Sequence, residues 1–156
     1  VHARLDPGEE NSGKLVSVVR EKARKLSDET KWKYIIIDGP PGTGCPVIAS
    51  ITGVDKVVVV TEPTKSGFHD LIRLMELIYN YKIKPYVVIN KSDLNAEISF
   101  EIENWCDAKG VCIAGIIPFD EKVVQAMLDC KSIVEWSPGS EISSVIKSIW
   151  ETVIKD

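Results

Sequence analysis

Metal-ligating and disulfide-forming residues are scarce in this chain of 156 residues. It has 2 histidines and 4 cysteines, Cys45, Cys106, Cys112 and Cys130, with no C-x-x-C pair among them. That spacing argues against a structural zinc framework and suits free thiols in a reducing compartment. Aromatics make up only 7%, and Trp32, Trp105, Trp136 and Trp150 read as packing residues rather than a stacking platform. Neither sign of charge dominates. With 19 basic and 23 acidic residues the formal charge is -4, which creates no field to draw a nucleic-acid backbone or an anionic membrane, so no nucleic-acid partner is expected. No apolar run is longer than Val57 to Val60, far short of the roughly 20 residues a membrane-spanning helix needs, and no basic, apolar leader opens the chain. No integral membrane segment is expected, and the cytosol is the expected compartment.

What is present, 44% hydrophobic and 27% charged residues, fits one soluble globular domain over residues 1–156, with no repeat, low-complexity tract or linker. A chain of this size buries about 68–70% of its unfolded surface, enough for a core without disulfide or metal staples.

Short β-branched runs alternate with amphipathic stretches. Tyr34 to Asp38, Lys56 to Thr61, Pro85 to Asn90 and Val111 to Ile117 read as strands buried on both faces, with Val1 to Leu5 as a weaker fifth. Leu15, Val18, Val19, Ala23 and Leu26 recur at helical spacing, with Ser12 as N-cap and Arg20 and Arg24 on a solvated face. Further helices are expected over Leu71 to Ile78, over Ile98 to Ala108 closed by Gly110, over Val123 to Leu128 after Asp120, and over Ile142 to Val153 after Pro138-Gly139-Ser140. Strands alternating with helices predict an α/β fold: a parallel sheet with helices on both faces.

In such a sheet, ligands gather beyond the carboxyl ends of the strands. After the first strong strand comes Asp38-Gly39-Pro40-Pro41-Gly42-Thr43-Gly44, a carboxylate followed by a stiff, glycine-rich turn. The carboxylate can hold a magnesium-bound water, and a glycine lets its N–H approach a phosphate oxygen; the alternative is a tight strand-to-helix connection capped by Asp38. Asn90-Lys91-Ser92-Asp93 reads N-K-x-D, the pattern by which GTP-binding proteins recognise their base, or else common turn residues after a strand. Pro118-Phe119-Asp120 either lies along the same base or opens a helix capped by Asp120. Gly8 to Leu15 matches G-x-x-x-x-G-K, but Leu15 stands where a hydroxyl should meet magnesium, so a loop and helix cap is the better reading. His69 beside Asp70 is read as an exposed first-turn residue more than as a catalytic one.

Taken in order, HARLDPGEENSGKLV, IIDGPPGTGCPVIASITG, VVVTEPTKSGFHD, VVINKSDLN and IPFD resemble the MinD/ParA/Mrp branch of deviant-Walker P-loop ATPases, and in detail the members with an inserted ferredoxin domain. The resemblance runs across essentially all of the chain. It implies a P-loop NTPase-like fold and a magnesium-dependent ATPase that couples hydrolysis to dimerisation, linked to an iron-sulfur process and to a redox or iron-sulfur client. By that resemblance Asp38 supports magnesium through water, Gly42 senses the terminal phosphate, and Asn90 and Pro118 contact the adenine. Ser66 and Asp70 occupy positions that reach across a nucleotide-sandwich homodimer, and Asn11 is grouped with them as a cross-subunit residue. Family members open with a strand, a lysine-bearing phosphate loop and, where present, a cysteine-rich insert, none of which matches here.

The chain, which begins at Val1 rather than methionine, is therefore expected to be the carboxyl-terminal part of such a protein, with any iron-sulfur cluster in the missing insert. Without the phosphate loop, weak ATP affinity and negligible turnover are expected of this polypeptide alone. In the related nitrogenase iron protein, one cluster-ligating cysteine follows the Walker B aspartate at the spacing separating Cys45 from Asp38. Its other ligating cysteine has Asn11 as counterpart here, and one thiolate per subunit cannot hold a four-thiolate cluster. Cys45 is read as a small, buried or half-buried thiol at a helix start, with a redox-sensitive thiolate as the alternative. Two further functions stay open: a GTPase switch in which Asp93 of N-K-S-D contacts guanine, and a non-catalytic interaction module on the same scaffold.

Overall fold

Each strand of the sheet is followed by a helix or turn that starts at a polar, helix-breaking side chain, and this alternation fixes the element order. The computed structural model describes residues 1–3 and 12–155, Ser12 through its backbone. The chain divides into two compact units, Val1–Val54 and Asp55–Asp156, each described by itself.

The first unit contains helices α1 (Ser12–Thr30) and α2 (Cys45–Ile51). Helix α2 has Pro46 in its first turn, where the missing N–H costs nothing, and it buries Val47, Ser50 and Ile51. Arg24 of α1 is exposed, as the solvated face its spacing suggests, whereas Arg20 is half-buried, and both reach backbone carbonyls. The Arg20 guanidinium donates to Ala49 O and, at 2.6 Å, to Thr52 O, while Arg24 donates to Gly53 O at 2.9 Å. These carbonyls lie at the end of α2, where intrahelical partners run out, so two cations cap it. Burial first, then the neighbouring Arg24 charge, lower the Arg20 pKa from its ordinary value.

Residues 34–40 have no regular secondary structure and belong to no strand among the described residues. The strand expected over Tyr34 to Asp38 is therefore absent, and Ile36 is 78% exposed. Strand propensity does not make a strand; a hydrogen-bonded neighbour does. The weaker strand expected over Val1 to Leu5 is not seen either: Val1 to Ala3 have no regular structure, and Arg4 and Leu5 lie outside the described residues. Ser12 begins α1 as a helical residue.

The second unit holds the sheet. Strands β1 (Lys56–Thr61), β2 (Lys84–Asn90) and β3 (Cys112–Ile117) pair in sequence order and all parallel. Between them run α3 (Lys65–Asn80), a 3-10 turn at Ser92–Leu94 and α4 (Ala96–Lys109); α5 (Glu121–Leu128), α6 (Ile133–Trp136) and α7 (Glu141–Lys155) follow. Tyr86, Val87, Val88 and Ile89 are all buried, so β2 is covered on both faces, as its unbroken apolar run requires. Tyr86 and Val88 share a cluster with Ala114, Ile149 and Val153, which places α7 on that face. Two successive crossovers in the same direction carry α3 and α4 to the other face, since both share one hand. Gly115 keeps α7 close: a Cβ there would lie 2.4 Å from Ile149 Cγ1. Val58 and Val60, whose register partners are Tyr86 and Val88, stay exposed at the β1 edge.

Helix starts and stops follow the local chemistry. Thr64 caps α3 by accepting from Gly67 N, Asn95 caps α4 by accepting from Ile98 N, and Asp120 caps α5 by accepting from Lys122 N. Gly110, at φ 65, closes α4. Helix α6, which periodicity could not reveal at four residues, is nucleated by a capping box between Ser132 and Glu135. Of the tryptophans, Trp32 and Trp150 are exposed rather than core; Trp136 donates its indole N–H to Asp129 at 2.7 Å, and Trp105 meets Phe68 edge-on.

Gly67 gives a test of how tightly the turn after β1 is packed. A Cβ there would sit 2.5 Å from the Glu62 carbonyl oxygen and 3.0 Å from Thr64 Oγ1. Alanine normally gains about 1 kcal/mol over glycine in a helix. Against backbone this close, overpacking of about 1–3 kcal/mol prevails. Gly67→Ala is expected to lower the urea midpoint of unfolding, and an unchanged or raised midpoint would show that the turn yields.

Candidate functional site at the strand ends

A parallel sheet brings the carboxyl ends of its strands to one side, and here three of them lie next to one another. Thr61 is in register with Ile89, and Asn90 with Ile117, so the segments that follow, Glu62 onward, Lys91 onward and Pro118 onward, leave the sheet as neighbours.

Two charged contacts tie these segments together. Lys91 Nζ lies 2.7 Å from Glu62 Oε1, an ion pair of two half-exposed side chains that spans the ends of β2 and β1. Asp93 Oδ1 accepts a hydrogen bond from Phe119 N at 2.7 Å, spanning the ends of β2 and β3. Lys91 adopts the left-handed backbone conformation, φ 53, which turns the chain out of β2 into the 3-10 turn. Leu94 N donates to Lys91 O at 3.0 Å, and Ser99 Oγ donates to Ser92 O at 2.6 Å, anchoring that turn to α4. The ion pair, being half-exposed, contributes about 0–1 kcal/mol. The carboxylate-to-amide bond is of the stronger, charge-assisted kind. Glu62 and Phe119 carry no sequence signal for this role, since their partners are named only by strand register.

In the second unit, Asn90 ends β2 half-buried, Asp93 is exposed in the 3-10 turn, and Pro118 is exposed immediately beyond β3. Asp120 serves as the cap of α5, so both readings of Pro118-Phe119-Asp120 coexist in one segment. Ser66 and Asp70 are exposed on the first turns of α3, Ser66 Oγ lying 3.2 Å from Thr64 Oγ1. His69 is exposed too, with Nδ1 3.8 Å from Asp70 Oδ1, beyond hydrogen-bond distance. The buried Thr61 hydroxyl donates to Gly67 O at 3.1 Å, holding the start of α3 against the end of β1.

In the first unit, Asp38 is exposed in the irregular segment 34–40, and Gly42 has φ 93, a conformation open to glycine and strained for other residues. No atom lies within 4 Å of a Cβ built on Gly42, so φ, not crowding, demands glycine there. Cys45 is exposed at the first position of α2, not buried or half-buried. Asn11 lies outside the described residues, as do Gly8 to Glu10; Gly13 and Lys14 belong to the first turn of α1.

Among the described residues no three His, Cys, Asp or Glu side chains group to hold a metal ion. One carboxylate at a loop tip matches magnesium, which is held by one or two carboxylates together with phosphate oxygens and water. It does not match zinc or an iron-sulfur cluster, which need several protein ligands.

Residues 16–154 match the family described as ParA: NUBPL iron-transfer P-loop NTPase. The chain belongs to that family. It is 32% identical over 151 residues to an uncharacterized protein of Methanocaldococcus jannaschii, covering 97% of this chain and 49% of that one. It is 29% identical to the septum site-determining protein MinD of Synechocystis, covering 77% of this chain and 47% of that one. The iron-sulfur cluster carrier protein of Pyrococcus abyssi is 25% identical, covering 70% and 42%. The chain thus spans about half the length of the curated relatives it matches. Among solved structures, MinD of Aquifex aeolicus superposes with a TM-score of 0.73 at 20% identity, over 90% of this chain and 61% of that one. MinD of Pyrococcus horikoshii, complexed with Mg-ADP, gives 0.70 at 21% identity, over 86% and 56%. These likenesses establish the MinD-type P-loop NTPase fold. No helix among the described residues is long and apolar enough to cross a membrane.

The one strongly shifted thiol belongs to the core, not to the strand ends. Burial, then the nearby Glu103 carboxylate, push Cys106 from its ordinary value of 9.0 up to about 11. A raised folded pKa gives stability that is intact below the unfolded pKa and is lost as pH rises through the folded one. Unfolding free energy should therefore fall between pH 9 and pH 11, and Cys106→Ala should flatten that fall. An unaltered slope in chemical denaturation across this range would refute the shift. In iodoacetamide labelling of the native protein, Cys45, Cys112 and Cys130 are expected to react before Cys106.

Proposed function

We propose that this chain is the nucleotide-binding portion of a MinD-superfamily ATPase, in which ATP hydrolysis is coupled to homodimerisation and serves an iron-sulfur or redox client. The observation that carries this reading is the joining of the β1, β2 and β3 ends by Lys91–Glu62 and Asp93–Phe119, which keeps the segments after Asn90 and Ile117 side by side, and this supports a base lying there. The family match across residues 16–154 and a relative complexed with Mg-ADP support it. We read residues 1–156 as one α/β domain, the carboxyl-terminal portion of that fold.

In this reading Asn90 and Pro118 hold the adenine. The exposed Asp38 carboxylate would hold a magnesium ion through water, and the Gly42 turn would offer its N–H to the terminal phosphate. A bound magnesium would supply charge neutralisation for phosphoryl transfer; the protein's part is positioning. We assign Ser66 and Asp70, both exposed on the first turns of α3, to the surface that meets the second subunit, and group Asn11 with them on the family resemblance alone. Cys45 is a solvent-accessible thiol open to redox chemistry, and any cluster is cargo or lies outside this chain. The protein works in the cytoplasm.

The test uses a polypeptide of the relatives' full length that contains this chain. Asp38→Ala should lower kcat for MgATP hydrolysis by about 10²–10³-fold, the usual effect of losing one group that stabilises transition-state charge. Unchanged activity in that variant would favour the non-catalytic interaction module. By calorimetry, the 156-residue chain alone should bind MgATP more weakly than micromolar, because the loop that wraps the phosphates supplies most of the N–H donors and positive charge. Micromolar binding would defeat the reading of this chain as the part without that loop.

A further inference from the structure

The segment Asn90-Lys91-Ser92-Asp93 reads as a guanine-recognition motif, yet both of its charges are engaged by neighbouring strand ends. Lys91 pairs with Glu62 at 2.7 Å, and Asp93 Oδ1 accepts Phe119 N–H at 2.7 Å. A carboxylate that reads guanine must present its oxygens to the N1–H and N2–H donors of the base. Here the backbone of the segment after β3 fixes the orientation of that carboxylate. The turn leaves it little freedom to swing away, because Lys91 O accepts from Leu94 N, Ser99 Oγ donates to Ser92 O, and Asn95 caps α4 just beyond.

We propose that Asp93 is a positioning residue whose carboxylate holds the Pro118-Phe119 segment in place at the end of β3, so that N-K-S-D shapes the wall of the base site without reading guanine. The proposal deepens the nucleotide-binding reading given above and rests on it for the identity of the ligand. The contact itself stands on the geometry of this chain. The Phe119 amide is not part of the α5 cap, which Asp120 supplies. Asp93 reaches it across 26 residues of sequence, joining two loops that local structure leaves independent. Removing the acceptor frees the Pro118 edge; replacing it with an isosteric amide leaves an Oδ1 acceptor in place.

The Phe119 amide in isotope-labelled 156-residue chain reports the contact with no nucleotide present. In Asp93→Ala its proton should move upfield and its hydrogen exchange should quicken about tenfold or more, as for loss of a charge-assisted bond, while Asp93→Asn should stay within about threefold of the parent. An unchanged Phe119 amide in Asp93→Ala would overturn the proposal, and so would Asp93→Asn exchanging as fast as Asp93→Ala.

In the full-length polypeptide, Asp93→Asn should leave the ratio of MgATP to MgGTP affinity within about threefold and should gain no affinity for xanthosine triphosphate, whose 2-oxo group suits an amide donor. A rise of about tenfold or more in xanthosine over guanosine triphosphate would show that Asp93 reads the base, and would overturn the proposal even if Asp93→Ala failed to fold. Absence of all nucleotide binding in the full-length polypeptide would defeat the nucleotide reading, whereas the Phe119 amide would still decide whether Asp93 positions the segment.

Discussion

The central strand β2 governs what the second unit can do. Its four consecutive buried residues, Tyr86 to Ile89, need a cover on each face and a hydrogen-bonded strand on each side. Meeting that demand seats α7 against one face, leaves the other to the crossover helices and aligns β1 and β3 in parallel. Once the strands are parallel and in register, their carboxyl ends cannot be far apart, and the loops that follow must share a small space. Everything at that end follows from this constraint.

Two contacts convert the shared space into a shaped edge. They differ in kind. Lys91 and Glu62 form a half-exposed ion pair whose energetic contribution is small, so its effect is to orient loops. Asp93 with Phe119 is a short bond between a carboxylate and a backbone N–H, which fixes a main-chain position. A backbone contact tolerates substitution at Phe119 but not loss of the acceptor at Asp93. Thr64, Asn95 and Asp120 add caps at the starts of α3, α4 and α5, so the same end of the sheet is also where the helix dipoles begin.

Much of the second unit was legible in the sequence because its elements are governed by nearby residues. The runs at 56–61, 85–90 and 111–117 have the length and β-branched content of buried strands, and Gly110 marks a helix end at φ 65. The segment at Tyr34 to Asp38 has the same composition and yet is not a strand among the described residues, because pairing is a property of neighbours. Arg20 and Arg24 show the converse. Their spacing marks a polar helix face, and only the approach of α2 supplies carbonyls for them to cap. Cys45 looked like a packed thiol and is exposed, since α2 turns Val47, Ser50 and Ile51 inward instead.

The succession of strands and helices along the chain, the glycine at position 42, the caps at Thr64, Asn95 and Asp120 and the run of family-like loops were set by the residues themselves, because each depends on side chains a few positions apart. The pairing of Lys91 with Glu62 and of Asp93 with Phe119 was decided by the tertiary structure alone. Those partners are distant in the chain and meet only when parallel strands fix which residue stands opposite which. A motif of four letters therefore named the residues at the tip of β2, while strand register determined where their charges went.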